Sequence, residues 1–271
     1  MADPHSPPPA QVSALGIPLR VLIPNLITLL VLASGLTAIR FAVEGRLEHA
    51  VLAIGAAAVL DGLDGRVARL LKGSSQFGAE LDSLADFISF GCGPALVLYF
   101  WSLNELSTLG WLAAISLAFS AALRLARFNV MATDTTRPEW TKGFFTGVPA
   151  PAGALLALLP LNLYISGVPR FTGHAALVAI YSVCVAALMV SRLPTFSGKG
   201  KGERIPRNIV IPVVMVVMVV FVLLFSHPFP TISAITIGYL ALLPLGFARY
   251  KALRAAHAGE DRPGQDGPDA A

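Results

Sequence analysis

Asp61, Asp64, Asp82 and Asp86 are the residues whose types and spacing point to chemistry. Three- and four-residue steps put the members of each pair on one face of a helix. Between the pairs, Leu71-Lys72-Gly73-Ser74-Ser75-Gln76-Phe77 is polar and rich in turn residues, so the two helices can fold back antiparallel and bring all four carboxylates together. An unpaired Asp at the centre of a bilayer costs about 2.5–3.5 kcal/mol, and several close together also repel one another. Arg66, Arg69 and Lys72 are the cations near in sequence, and neither Arg66 nor Arg69 falls on the helical face of Asp64. Hard oxygen donors without His or Cys select Mg²⁺, Mn²⁺ or Ca²⁺ and argue against zinc. Intramembrane acids also mark proton and ion pathways, so a cation transporter is the competing reading at this point.

The residues beside the acids add a second signal. Gly65 and Ala68 leave one side of the first helix nearly bare and Gly78 does the same for the second, so a flat base or a phosphate can approach the backbone. Arg69 and Ser75 are placed to bind phosphate oxygens, the Arg through its planar fork of donors. Metal ligands and phosphate donors at a membrane surface suggest chemistry on a lipid pyrophosphate.

The elements that must hold these groups are membrane helices. The 271 residues are 55% hydrophobic and only 13% charged, with a mean hydropathy of +0.70, against roughly 25% charged residues in an average globular chain. The fold expected is an all-α polytopic membrane protein with about eight transmembrane helices, over residues 21–43, 50–69, 81–101, 109–123, 148–165, 175–190, 209–225 and 232–247. Residues 50–60 are apolar but too short to span alone, so the second helix must continue through Asp61 to Arg69 and carry its acids into the membrane edge. A kink is expected near Pro94. Residues 1–15 and 255–271 read as disordered tails around a single membrane domain of residues 16–254. No cleavable leader is expected, because the Pro-rich start has no basic segment leading into an apolar one. Cys92 and Cys184 fall in apolar runs and read as small hydrophobes.

Lys and Arg crowd one set of loops: Arg66, Arg69 and Lys72, then Arg124 and Arg127, then Lys199 to Arg207, then Arg249 to Arg254. The opposite loops hold little beyond Arg46 and Arg170. This bias puts both termini and the turn between the acidic pairs in the cytoplasm. It also explains the net charge of +4 without nucleic acid, for which no motif is present.

The pattern Asp61-x-x-Asp64-Gly65-x-x-Ala68-Arg69, then eight residues, then Gly78-x-x-x-Asp82-x-x-x-Asp86 resembles the complete signature of the CDP-alcohol phosphotransferases. The segments Ile23 to Thr28, Asp82 to Gly91, Ala122 to Asn129 and Phe145 to Pro151 extend the likeness toward the bacterial enzymes that make phosphatidylserine in the inner membrane. The resemblance implies a two-metal centre of Asp61, Asp64, Asp82 and Asp86 holding Mg²⁺ or Mn²⁺, with Ca²⁺ conceivable at one position. Asp86 would also take the proton of the acceptor hydroxyl. Asn25, Thr28, Gly65, Ala68, Arg69, Ser75 and Gly78 would contact the CDP group of CDP-diacylglycerol. The acceptor implied is serine, with choline, inositol phosphate and glycerol phosphate as rivals. Charge and resemblance together nominate Arg124, Arg127 and Asn129 for it. The resemblance also implies a homodimer.

Overall fold

The structure is a computed structural model and describes residues 19–71, 73, 75–133, 144–169, 172–191, 194–196 and 207–257. The two tails lie outside the described residues, except that the last helix continues through His257.

Helix α1 (Leu19–Val43) and helix α2 (Leu47–Leu70) form an antiparallel hairpin with a three-residue turn. Gly45 makes the turn possible with a φ of +73°. Its N–H reaches Ala42 O and that of Arg46 reaches Phe41 O, the double closure that ends a helix on a left-handed glycine. Val31, Ala38 and Ala42 of α1 are buried, as are Ala50, Val51, Ile54 and Ala57 of α2, so small side chains let the two rods approach closely. At the end of α1, Arg40 donates through Nε to Glu44 at 2.7 Å. That bond holds the Glu44 carboxyl below its ordinary range. Helix α2 is thus continuous from the apolar run through Leu70, and it carries Asp61 and Asp64 in its second half.

Helix α3 (Gln76–Asp86) is capped by Ser75, whose Oγ accepts from the Gly78 N–H at 3.0 Å. A π-helical turn, Phe87–Cys92, follows directly, and helix α4 (Gly93–Trp101) completes the rod. The irregularity expected at Pro94 therefore falls one turn earlier. Pro94 has no N–H to return to Phe90 O, and the chain widens ahead of it, with the Gly93 N–H reaching Ile88 O five residues back. This widened segment packs tightly against its neighbours. Ser89 donates to Val31 O of α1 at 3.0 Å, and a Cβ at Gly35 would fall 2.4 Å from Ser89 Oγ.

A 3₁₀ turn (Leu103–Leu106) leads into α5 (Ser107–Thr133), which runs back along α8 (His174–Val190). The fifth expected span is broken at Leu158 into α6 (Ala150–Ala157) and α7 (Leu159–Ile165). Pro160 cannot pair with Leu156 O, and the Tyr181 hydroxyl of α8 donates to that carbonyl instead, at 2.8 Å. Two strands that the sequence reading did not anticipate, β1 (Phe144–Thr146) and β2 (Pro194–Phe196), pair antiparallel with Phe144 opposite Phe196. Each has three residues, and the fold stays all-α. Helices α9 (Arg207–Ser226) and α10 (Pro228–His257) close the chain.

Among the described residues, Arg20–Val43, Gln76–Trp101 and Leu103–Met131 are long and apolar enough to cross a membrane, and His174–Val190, Val210–Ser226 and Pro228–Pro244 are shorter apolar helices. Large aliphatic side chains face outward, Leu30 at 55% and Val216 at 62% exposure. That is the surface of a chain whose solvent is lipid, and the chain is a membrane protein.

Candidate active site

Three helices meet where the acids lie. The ends of α2 and α3 bring the side chains of Asp61, Asp64 and Asp82 together, with one carboxylate oxygen from each within 4.8 Å of the others. Asp86 stands just beyond this trio, with its carboxyl in hydrogen-bonding contact with Asp61. Its Oδ1 is buried without a partner. Two carboxylates meet this way only with a proton or a cation between them. The charges of Asp61 and Asp86 are faced by Arg124 of α5, which is 9% exposed. One guanidinium does not balance four carboxylates, and all the donors are oxygens, so the cluster fits a hard divalent cation.

Helix α1 closes the site from the other side. Thr28 is buried, and its Oγ1 lies 3.1 Å from Asp64 Oδ2 and 3.1 Å from Pro24 O. A hydroxyl has one proton, so Thr28 donates to one of these acceptors at a time. Beside Asp64 and Asp82 opens a cavity of about 260 Å³ whose walls include Asn25, Thr28, Gly65, Ala68, Arg69, Ser75 and Gly78. Every residue that the resemblance nominated for CDP therefore shares one wall. Pro24, Gly73 and Ala79 line it as well and were not anticipated. A Cβ on Gly73 would collide with Arg20 O, the carbonyl that Pro24 leaves without an intrahelical N–H, a contact between distant parts of the chain.

The glycines play two different parts. A Cβ on Gly78 would lie 2.8 Å from Asn25 Oδ1 and 3.1 Å from Ser75 Oγ, so α1 and α3 touch there through bare backbone. A Cβ on Gly65 meets nothing within 4 Å, and the space it would enter is at the cavity. Gly65→Ala should therefore leave the thermal midpoint equal or higher, since Ala favours a helix by roughly 0.5–1 kcal/mol, while weakening binding of a CDP-linked ligand about tenfold. Parallel melting and nucleotide titration check this, and an unchanged affinity would remove Gly65 from the ligand surface.

Arg69 bends back so that its Nε donates to Gly65 O at 2.9 Å, which holds the guanidinium along the cavity. The three acceptor candidates separate. Arg124 faces Asp86 and Asp61. Arg127 donates to Val190 O at 2.7 Å, at the end of α8, and Asn129 donates to Ser83 Oγ at 2.9 Å on α3.

A sequence profile of the CDP-alcohol phosphatidyltransferase domain matches residues 21–188. The chain belongs to the CDP-alcohol phosphatidyltransferase family. Its similarity to individual members runs the same way. A Mycobacterium leprae protein named CDP-diacylglycerol–serine O-phosphatidyltransferase is 38% identical over 238 residues, covering 87% of this chain and 77% of its own. Proteins of the same name from Mycobacterium bovis and Bacillus subtilis are 40% and 34% identical, over 65% and 63% of this chain and 73% and 88% of theirs. The matched region of the family holds α1 to α8, and with them the four aspartates and the whole cavity wall.

Proposed function

We propose that this protein transfers the phosphatidyl group of CDP-diacylglycerol to the hydroxyl of L-serine, yielding phosphatidylserine and CMP. The observation that carries the proposal is that Asp64 and Asp82 belong both to the carboxylate trio and to the wall of the cavity. A cation-binding group and a nucleotide-sized recess with phosphate donors are thus one site, as cleavage of a pyrophosphate needs. Serine as the acceptor is supported by the shared name of the three relatives.

In this reading Asn25, Thr28, Gly65, Ala68 and Gly78 receive the cytidine end, and Arg69 and Ser75 hold phosphate oxygens. Asp61, Asp64, Asp82 and Asp86 would hold Mg²⁺ or Mn²⁺ as a two-metal centre, which would supply positive charge for the pyrophosphate and for departing CMP. Asp86 accepts the serine hydroxyl proton as that oxygen bonds to the lipid-side phosphorus and the bond from phosphorus to the CMP oxygen breaks. Arg124 receives the acceptor. Arg127 and Asn129 hold the same end of α5 to α8 and α3 and frame the acceptor's approach. The lysine and arginine bias of the loops supports a cytoplasm-facing site in the inner membrane, with both termini on that side. CDP-diacylglycerol then enters from the bilayer and serine from water. Assembly is as a homodimer, checked by cross-linking in native membranes. Residues 16–254 act as one membrane domain between two tails.

The test is CMP release by purified protein given CDP-diacylglycerol and Mg²⁺ or Mn²⁺, with serine, choline, inositol phosphate and glycerol phosphate offered in parallel. Serine alone should release CMP well above the no-acceptor rate. Preference for another alcohol would move the acceptor, and no release with any of them would leave the cation-transport reading in its place.

A further inference from the structure

Helix α1 does more at this site than line the cavity. Of the three carboxylates in the trio, Asp64 is buried, whereas Asp61 and Asp82 are half-buried. A carboxylate taken out of solvent needs a hydrogen-bond donor, and α1 supplies it. Thr28 is 4% exposed and Asp64 5%, and the Thr28 hydroxyl lies 3.1 Å from Asp64 Oδ2 across 36 positions of sequence.

The hydroxyl is also aimed. A threonine in a helix divides between two side-chain rotamers, and the 3.1 Å approach of its Oγ1 to Pro24 O, four residues back, identifies the one in use here. In that rotamer the same oxygen reaches Asp64. Pro24 O already receives the Thr28 N–H in the regular helix pattern, and a carboxylate is the stronger acceptor, so the single hydroxyl proton goes to Asp64. The level of Thr28 along the bundle is set one turn earlier, where Asn25 sits on the bare backbone of Gly78 in α3. A donor held at Oδ2 restrains the plane of the carboxylate and leaves its other lone pairs for a further ligand.

We propose that Thr28 is a positioning residue for the cation site, its hydroxyl holding the Asp64 carboxylate in the orientation that ligates a divalent ion. The assignment rests on the cation reading of the acids above and deepens it. Hydrogen-bond partners of ligating groups are generally worth about 10- to 100-fold in metal affinity. Helix α1 then serves both halves of the site, because Asn25 and Thr28 line the cavity while the Thr28 hydroxyl fixes an acid of the trio.

The test reads ion binding without turnover. Purified protein is titrated with Mn²⁺ or Mg²⁺ alone while its thermal midpoint is followed, and CDP is then titrated at saturating ion. Thr28→Val keeps the branched shape and loses the hydroxyl, and it should need about tenfold more ion for the same rise in midpoint. Thr28→Ala should shift the titration in the same direction, and Thr28→Ser, which differs from it by the hydroxyl alone, should stay within about threefold of wild type. At saturating ion the CDP affinity of Thr28→Val should also stay within about threefold. A Val or Ala variant that responds at the wild-type ion concentration overturns the positioning role and leaves the cation site standing. So does a Ser variant as weak as the Ala one, which would assign the loss to packing, or a fall in CDP affinity as large as that in ion affinity, which would assign the hydroxyl to the nucleotide. A wild-type midpoint that neither ion moves overturns the cation reading and the assignment together.

Discussion

Asp86→Asn should lower turnover by roughly 10²- to 10⁴-fold, the range that a positioned acid or base supplies, while leaving metal-dependent nucleotide binding within a few-fold of wild type. Asp61→Ala and Asp64→Ala should lose both. Charge stabilisation by a bound cation is worth several kcal/mol, and at about 1.4 kcal/mol per decade their turnover falls roughly a thousandfold or more. The contrast follows from position. Asp61 and Asp64 belong to the trio whose oxygens converge within 4.8 Å, whereas Asp86 stands outside it, touching Asp61 and holding a buried oxygen with no partner. Single-turnover CMP release set beside CDP titration separates the two effects. Equal loss of binding in all three variants would end the distinct proton-accepting role of Asp86.

Removing divalent ions should be as severe. Protein stripped with a chelator should release CMP at the background rate and recover with Mg²⁺ or Mn²⁺. Its melting should report the same ions without any turnover. A ligand that binds only the folded state stabilises it by about 2.7 kcal/mol at a hundredfold excess over Kd, and here each ion also relieves repulsion among carboxylates. The thermal midpoint should therefore climb with Mg²⁺ or Mn²⁺ concentration in wild type and stay nearly flat in the Asp61→Ala, Asp64→Ala double variant. A wild-type midpoint indifferent to both ions would mean that the cluster holds no metal.

What the sequence discloses about this site depends on whether a local period carries it. The aspartates, Gly65, Ala68 and Gly78 obey helical spacing within about twenty-five residues, so the face each helix presents can be reasoned from the helix repeat alone. The membrane class and the extension of α2 through its acids follow from composition and from the length a bilayer demands. Three features are not local. At the widened turn Phe87–Cys92, Pro94 leaves a carbonyl unpaired while Ser89 packs on Gly35 and Val31, and only the packing of α1 on that turn makes the combination visible. The break at Leu158 could be suspected from Pro160, but its repair by Tyr181 spans 25 residues. Arg124, Arg127 and Asn129 look alike as a basic cluster at a helix end, and tertiary contacts alone send one to the acids and the others to α8 and α3.

The widened turn after Asp86 sets an angular phase. An α-helix advances about 100° per residue, and a π-helical turn holds an additional residue in one loop of backbone, so side chains before and after it are rotated from the alignment that an uninterrupted α-helix would give. Asp82 and Asp86 can thus aim at the acids of α2 while Val97, Leu98 and Trp101, on the same rod, are buried against other helices. The aim of the acids and the fit of the far end are tuned separately, and the rod works as two keys cut on one shaft.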